Sequence, residues 1–193
     1  THFIVFQTAD PDGAISTVAN PKNNPSRKRY DRDYGLQNGK LAYRVWKPGN
    51  TTPSSNDYDD GTAHIGGVIV SKSDQRIFLY ADGTLDQAKQ NSDGESDFFT
   101  DEEGFILGQY DNFGEYKGQL AEFVLYRKKL NEAERVVVET YLAEKYGVSL
   151  PIDYYAHTSN YGENLAGIGR ATSTEEHLSA NSSILNITNL SST

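Results

Sequence analysis

The stretch 105-FILGQYDNFGEYKGQLAEFVLYRKKLNEAERVVVETYLAEKYG-147 decides how the chain is read. It holds two strand-like runs, a glycine-rich connection and one amphipathic helix. Residues 105–109 are apolar and β-prone, and residues 119–126 set Leu120, Phe123 and Leu125 among polar neighbours. Between them, Tyr110, Asp111, Asn112, Gly114 and Gly118 supply turn chemistry together with oxygen ligands. Asn131 caps a helix, with Glu134 three residues on in the capping-box position. Val137, Val138, Tyr141, Leu142 and Tyr146 recur at three- and four-residue spacing, so one helix face is apolar. Gly147 stands where a left-handed residue would end the helix.

In this order the features resemble the closing section of laminin-G-like, concanavalin A-like jelly rolls. That section runs strand, loop, glycine and apolar strand, aromatic, L-x-x-x-E, then a short helix. The matching residues are Gly108, Lys117, Gly118, Leu120, Ala121, Glu122, Tyr126, Leu130 and Glu134. The phrase Tyr141-Leu142-Ala143-Glu144-Lys145-Tyr146-Gly147 resembles the YL-x-x-KYG ending found in bacterial surface-protein versions. Tyr80-Ala81-Asp82-Gly83-Thr84 resembles the family's YVDG hairpin, and His64 takes the place of a His that often precedes the strand before it. His64 is read as structural, because no second His lies near it. The GIGR phrase at 167–170 extends the resemblance. Together with many short alternating strands, it implies an all-β, two-layer antiparallel β-sandwich, a jelly roll, with one amphipathic helix at about 131–146.

Composition narrows the function classes. Eighteen basic against 27 acidic residues give a formal net charge of −9, which argues against a nucleic-acid footprint or an anionic-membrane binder. No apolar run approaches the length that spans a bilayer. In 193 residues, one domain or one plus an appendage is expected. The division expected is a sandwich core over 1–150 and a C-terminal β extension over 151–193, packed on it. The chain has no Cys, which favours a bacterial exported protein stabilised by other means, with Ca²⁺ the leading candidate. The missing Met and missing signal-peptide pattern point to a piece of a longer polypeptide.

Taken from the start, residues 3–7 read as a buried strand and 14–18 as its partner, across an Asp10-Pro11-Asp12-Gly13 turn. Residues 20–29 read as an exposed loop. Residues 33–36 and 40–46 form a hairpin about Gln37-Asn38-Gly39. Its two faces carry Leu41, Tyr43 and Val45, and Ala42, Arg44 and Trp46. Residues 47–61 look too polar and too rich in proline for a strand. Strands follow at 63–70 and 76–80, then a second acidic loop over 87–103. Beyond Pro151 the chain is rich in Ser, Thr and Asn, with short strands expected at 154–155, 165–170 and 183–188.

Two loops carry candidate chemistry. Asp57, Asp59 and Asp60 fall within four residues, and like charges so close repel unless water or a cation compensates them. Mixed carboxylate, amide and backbone oxygens suit Ca²⁺ rather than zinc or copper, although the spacing is not that of an EF-hand. Residues 107–114, LGQYDNFG, resemble the pentraxin phrase LGQEQDSFGG, whose acidic residues bind the ligand-bearing calcium. Allowing a one-residue deletion, Asp111 falls on the pentraxin Asp and Phe113-Gly114 on its Phe-Gly, while the pentraxin Glu has no counterpart. Asp59-Asp60 corresponds to an upstream Asp-Asn pair. The resemblance thus implies Asp57, Asp59, Asp60, Asp111 and Asn112 as calcium ligands. Tyr58, Gln109, Tyr110, Phe113 and Tyr116 would be ligand contacts.

Catalytic patterns are missing. There is no E-x-D-x-E run of a laminarinase-type glycosidase and no Q-x-H strand of an alginate lyase, although Tyr116-Lys117 is present. Nor is there a Cys nucleophile, a G-x-S-x-G elbow or a phosphate loop. The expected protein is a non-catalytic, calcium-dependent, ligand-binding module of an extracellular bacterial surface adhesin. It would recognise exposed peptides or glycans and sit, monomeric as an isolated module, among neighbouring domains of one long chain. The alternatives are a calcium-rigidified spacer of a wall protein and, less favoured, a polysaccharide lyase or glycosidase domain.

Overall fold

The structure, a computed structural model, describes residues 1–19, 30–45, 51–71, 73–90, 104–108, 114–152, 169–170, 172–181 and 186–187. Its main strands are His2–Gln7 (β1), Gly13–Ala19 (β2), Tyr30–Gln37 (β3), Lys40–Val45 (β4) and Thr51–Asp57 (β5). Ala63–Ser71 (β6), Arg76–Ala81 (β7), Thr84–Gln90 (β8), Gly104–Leu107 (β9) and Gln119–Leu125 (β10) follow, then the helix Glu132–Tyr146 (α1). They form two five-stranded antiparallel sheets, ordered β10-β1-β6-β7-β8 and β5-β4-β3-β2-β9. Two short pairs lie further on: Gly169–Arg170 (β11) with Glu176–His177 (β12), and Ala180–Asn181 (β13) with Asn186–Ile187 (β14).

The two-residue side-chain period of β1 shows why there are two layers and a helix. Ile4 and Phe6 enter the core between the sheets with Ile15, Tyr34, Leu36, Leu41 and Leu79. Phe3 and Val5 point the other way, against Leu142 and Ala143 of α1, where Val138, Tyr141 and Tyr146 also pack. The first sheet is thus buried on both faces, which explains the nearly unbroken apolar run of β6. Gly66 in that strand leaves space for the Tyr34 hydroxyl, and at Gly67 a Cβ would stand 3.1 Å from the Phe3 ring. Val137, expected on the docked face, is only half-buried and lies outside this cluster.

The helix ends follow the sequence reading. The Asn131 side chain accepts from the Glu134 N–H at 2.9 Å, and Glu134 Oε2 accepts from the Asn131 N–H at 3.1 Å. Gly147 closes the helix at φ 68°. Asn38 and Gly39 make the two-residue β3–β4 turn at φ 51° and 79°, and Asp82 and Gly83 make the β7–β8 turn at 46° and 79°.

Three local expectations need correction. β1 and β2 do not pair: β1 lies between β10 and β6, and β2 between β3 and β9. Residues 8–12 cross from one sheet to the other, so each strand keeps an apolar face toward the shared core. Residues 51–57 form β5 rather than loop. β5 is an edge strand, where exposed Pro53 withholds an N–H that no neighbour needs. Residues 84–90 form β8, which takes the start of the expected acidic loop; residues 91–103 lie outside the described residues.

Antiparallel register sets the ends of the sandwich. Gln7 faces both Ala63 and Gln119, Gly66 faces Ala81, Lys40 faces Asp57, and Gly13 faces Leu36. The connections β1–β2, β3–β4, β5–β6, β7–β8 and β9–β10 therefore return at one end.

Candidate functional site

That five-turn rim is where the sequence placed its candidate residues. The β1–β2 crossing stands at its centre. The Thr8 carbonyl accepts from the Gly61 N–H at 2.8 Å, and the Thr8 hydroxyl donates to the Lys117 carbonyl at 2.6 Å. Gln7 Nε2 donates to the Gly61 carbonyl at 2.6 Å, while the Tyr116 hydroxyl donates to the Gln7 carbonyl at 2.9 Å. Gly118 packs so closely on the Gln7 carbonyl that no Cβ would fit there. The loop at 58–62 and the segment 114–118 are thus tied to opposite sides of one short crossing. Gln109, Tyr110, Asp111, Asn112 and Phe113 lie outside the described residues, between Gly108 and Gly114.

The clustered aspartates point to different partners. Asp57 pairs with Lys40 at 3.1 Å on the surface. Asp59 lies against the β3–β4 turn, its Oδ1 3.0 Å from where a Cβ on Gly39 would stand. Asp60 accepts from the Thr62 hydroxyl and N–H, both at 2.7 Å, and these bonds, with His64, hold its carboxyl below the usual range. On the opposite side of the crossing, Lys117 pairs with Asp10 at 3.0 Å. Among the described residues no three His, Asp or Glu converge as a metal set. Asp57, Asp59 and Asp60 would need oxygens from other residues to complete a Ca²⁺ shell.

His64 explains the arrangement of Asp60. Its Nδ1 lies 2.8 Å from Asp82 and its Nε2 3.1 Å from Asp60. Burial alone would lower its pKa, but the hydrogen bonds and charges of Asp82 and Asp60 raise it above the ordinary value. Asp82 also accepts from the Ile65 N–H at 2.8 Å. The Thr62–His64–Asp82 order mimics a nucleophilic triad, with Thr62 Oγ1 3.2 Å from Nε2. However, the Thr62 hydroxyl donates to Asp60, the same carboxylate that His64 Nε2 faces, so the hydroxyl is not directed at the ring as a nucleophile's would be. The His acts as a clamp between the 58–62 loop and the β7–β8 turn.

Tyr58 is buried, edge-on to His64 at 5.1 Å, and its hydroxyl lies 3.5 Å from Asp86. Burial and then the Asp86 charge push it up to about 12. Burial likewise pushes Tyr116 up to about 12, and its hydroxyl is engaged by the Gln7 and Gln119 carbonyls. Tyr58, Asn56, Asp82, Asp86 and Ser149 line a hollow of about 400 Å³ at the rim. Of these, the sequence reading singled out only Tyr58. Asp86 carried one usable signal: an aspartate inside a strand is disfavoured unless it has a task. The hollow offers carboxylate and amide acceptors beside an aromatic ring, which suits a ligand rich in hydroxyl or N–H donors.

The chain is similar in structure to the CBM40 module of the Ruminococcus gnavus IT-sialidase bound to α2,3-sialyllactose. The TM-score is 0.55 and the identity 16%, covering 72% of this chain and 80% of that one. It is also similar to the heptameric SAP-like pentraxin of Limulus polyphemus, with a TM-score of 0.56 and 13% identity over 72% of this chain and 69% of that one. The mouse laminin α1 chain with domains LG4-5 aligns at 0.49 and 14% identity, covering 68% of this chain but only 36% of the laminin chain. No family model and no curated protein matches the sequence. The fold shared with these structures is a two-layer antiparallel β-sandwich of the jelly-roll kind.

Proposed function

We propose that this chain is a non-catalytic ligand-binding module that takes a glycan or an exposed peptide at the five-turn rim. The observation that carries the reading is the acceptor-lined hollow there, built by Asn56 and Tyr58 at the end of β5, Asp82, Thr84 and Asp86 of the β7–β8 turn and β8, and Ser149 after α1. The clamp geometry of His64 supports binding over catalysis, because the side chain best suited to move a proton is held between two acids. The sialyllactose-bound CBM40 illustrates one ligand class that a jelly roll of this kind accommodates. No helix among the described residues is long and apolar enough to cross a membrane.

The finer parts of the proposal are an extracellular setting in a bacterial surface adhesin, monomeric modules in series, and calcium dependence. Calcium rests on the loop sequences at 57–60 and 109–114. The test is a glycan and peptide array probed in calcium and in chelator, with melting curves recorded in both. The proposal expects hits on at least one array. Calcium at about a hundred times its dissociation constant should add roughly 2.7 kcal/mol of stability. Coincident melting curves would remove calcium from the account while leaving the binding reading intact. Two blank arrays would favour a spacer.

A further inference from the structure

The 400 Å³ hollow at the rim shares a wall with a larger one. A cleft of about 630 Å³ opens between α1 and strands β7 and β8, with Phe78, Leu85, Val136 and Ile152 on its walls. Thr84, Leu150 and Pro151 line both hollows, so they adjoin. Both volumes fall in or near the range of ligand clefts, roughly 300–1,000 Å³.

Their chemistry differs. In the smaller hollow Asp86 is half-buried, accepting from the Ser55 N–H at 2.6 Å and facing the Tyr58 hydroxyl. No cation among the described residues pairs with it, whereas neighbouring Asp82 is already committed to His64 and the Ile65 N–H. In the larger cleft the buried charges Arg135 and Glu139 pair with each other. Arg135 is bonded to Glu139 and the Gly83 carbonyl and stacks 4.4 Å over Tyr80. Its open lining includes the apolar Leu85 and Ile152, 48% and 57% exposed, alongside Lys129, Glu132 and Glu175.

We propose that the two hollows form one groove for an extended peptide, with a lysine or arginine side chain against Asp86 and a nearby large apolar side chain in the cleft beside α1. This rests on the binding-module reading and narrows its ligand class. A half-buried carboxylate lacking a cation is completed by a charge-assisted bond, and the chain's net charge of −9 favours a basic partner. An extended backbone places alternate side chains on one side, which suits two adjoining hollows. A neutral glycan supplies neither the cation nor the large apolar group.

The experiment is fluorescence polarisation with labelled peptides in which Leu follows Lys at one, two or three residues. The controls are the same peptides with acetyl-lysine for Lys or Ser for Leu, and a neutral oligosaccharide panel. At least one Lys–Leu spacing should bind, weaken tenfold or more on acetylation, and weaken with salt. D86N should reproduce the loss from acetylation, and L85S, at an exposed position, should reproduce the loss from Ser. Equal binding of acetylated and free peptides would overturn the proposal. Oligosaccharide binding untouched by D86N, with no peptide bound, would overturn the groove but keep the binding-module reading. If neither peptides nor oligosaccharides bind, both fall.

Discussion

His2 lies inside the sandwich, its ring 4.9 Å from Tyr34, 6.0 Å from Tyr43 and 5.7 Å from Phe123. Burial pushes its imidazole down to about 3. The unfolded chain takes up a proton near pH 6.5 that the folded chain refuses, so this contribution is present above pH 6.5 and lost as pH falls toward 3. Between pH 7 and 4.5 the wild type should therefore lose about 2 kcal/mol more than His2→Phe, measured by urea unfolding. Equal losses would contradict the burial. Leu142, fully buried against β1 and β6, gives a second test. Leu142→Ala should cost roughly 2–5 kcal/mol, and an unchanged unfolding midpoint would show that the helix is not docked as described. Leu142 was legible from helical spacing. Arg135 and Glu139 were not: polar side chains inside a helix look like a solvated face, and only the Tyr80 ring and the Gly83 carbonyl across the cleft explain their burial.

Local chemistry made some elements readable and left others hidden. The α1 caps and the Asn38-Gly39 and Asp82-Gly83 turns rest on residues within a few positions of one another, so the sequence alone announces them. β5 was hidden because its strand character comes from pairing with β4, not from its own polar, proline-bearing residues. The β1–β2 crossing was hidden for a related reason: nothing in a turn's composition says whether the next strand joins the same sheet. Gly39 links the readable turn to the rim. With φ at 79° and the Asp59 carboxylate 3.0 Å from a new Cβ, Gly39→Ala should destabilise the fold by about 1–2 kcal/mol and displace the 58–60 loop. Thermal melting checks the first effect. Loss of array binding by a variant still folded at the assay temperature checks the second. A variant with wild-type melting and binding would disprove the coupling between turn and loop.

For the molecule as a whole, the jelly roll was readable from the 105–147 phrase, but the organisation of its rim was not. The sequence put Asp57, Asp59 and Asp60 together as one ligand set. The fold sets Asp57 beside Lys40, Asp60 beside Thr62 and His64, and Asp59 against the β3–β4 turn. Meanwhile it brings up Asn56, Asp82, Asp86 and Ser149 from segments up to 93 residues apart, a juxtaposition that only the alternating strand directions produce. The account's central claim is that ligand binds where the five turns meet. The most direct measurement is an amide chemical-shift titration of the whole chain with the strongest array hit. The account predicts saturable shifts concentrated in residues 56–58, 81–87 and 149–152. Shifts concentrated at the opposite end, around residues 44–45, 71 and 73–76, would contradict it.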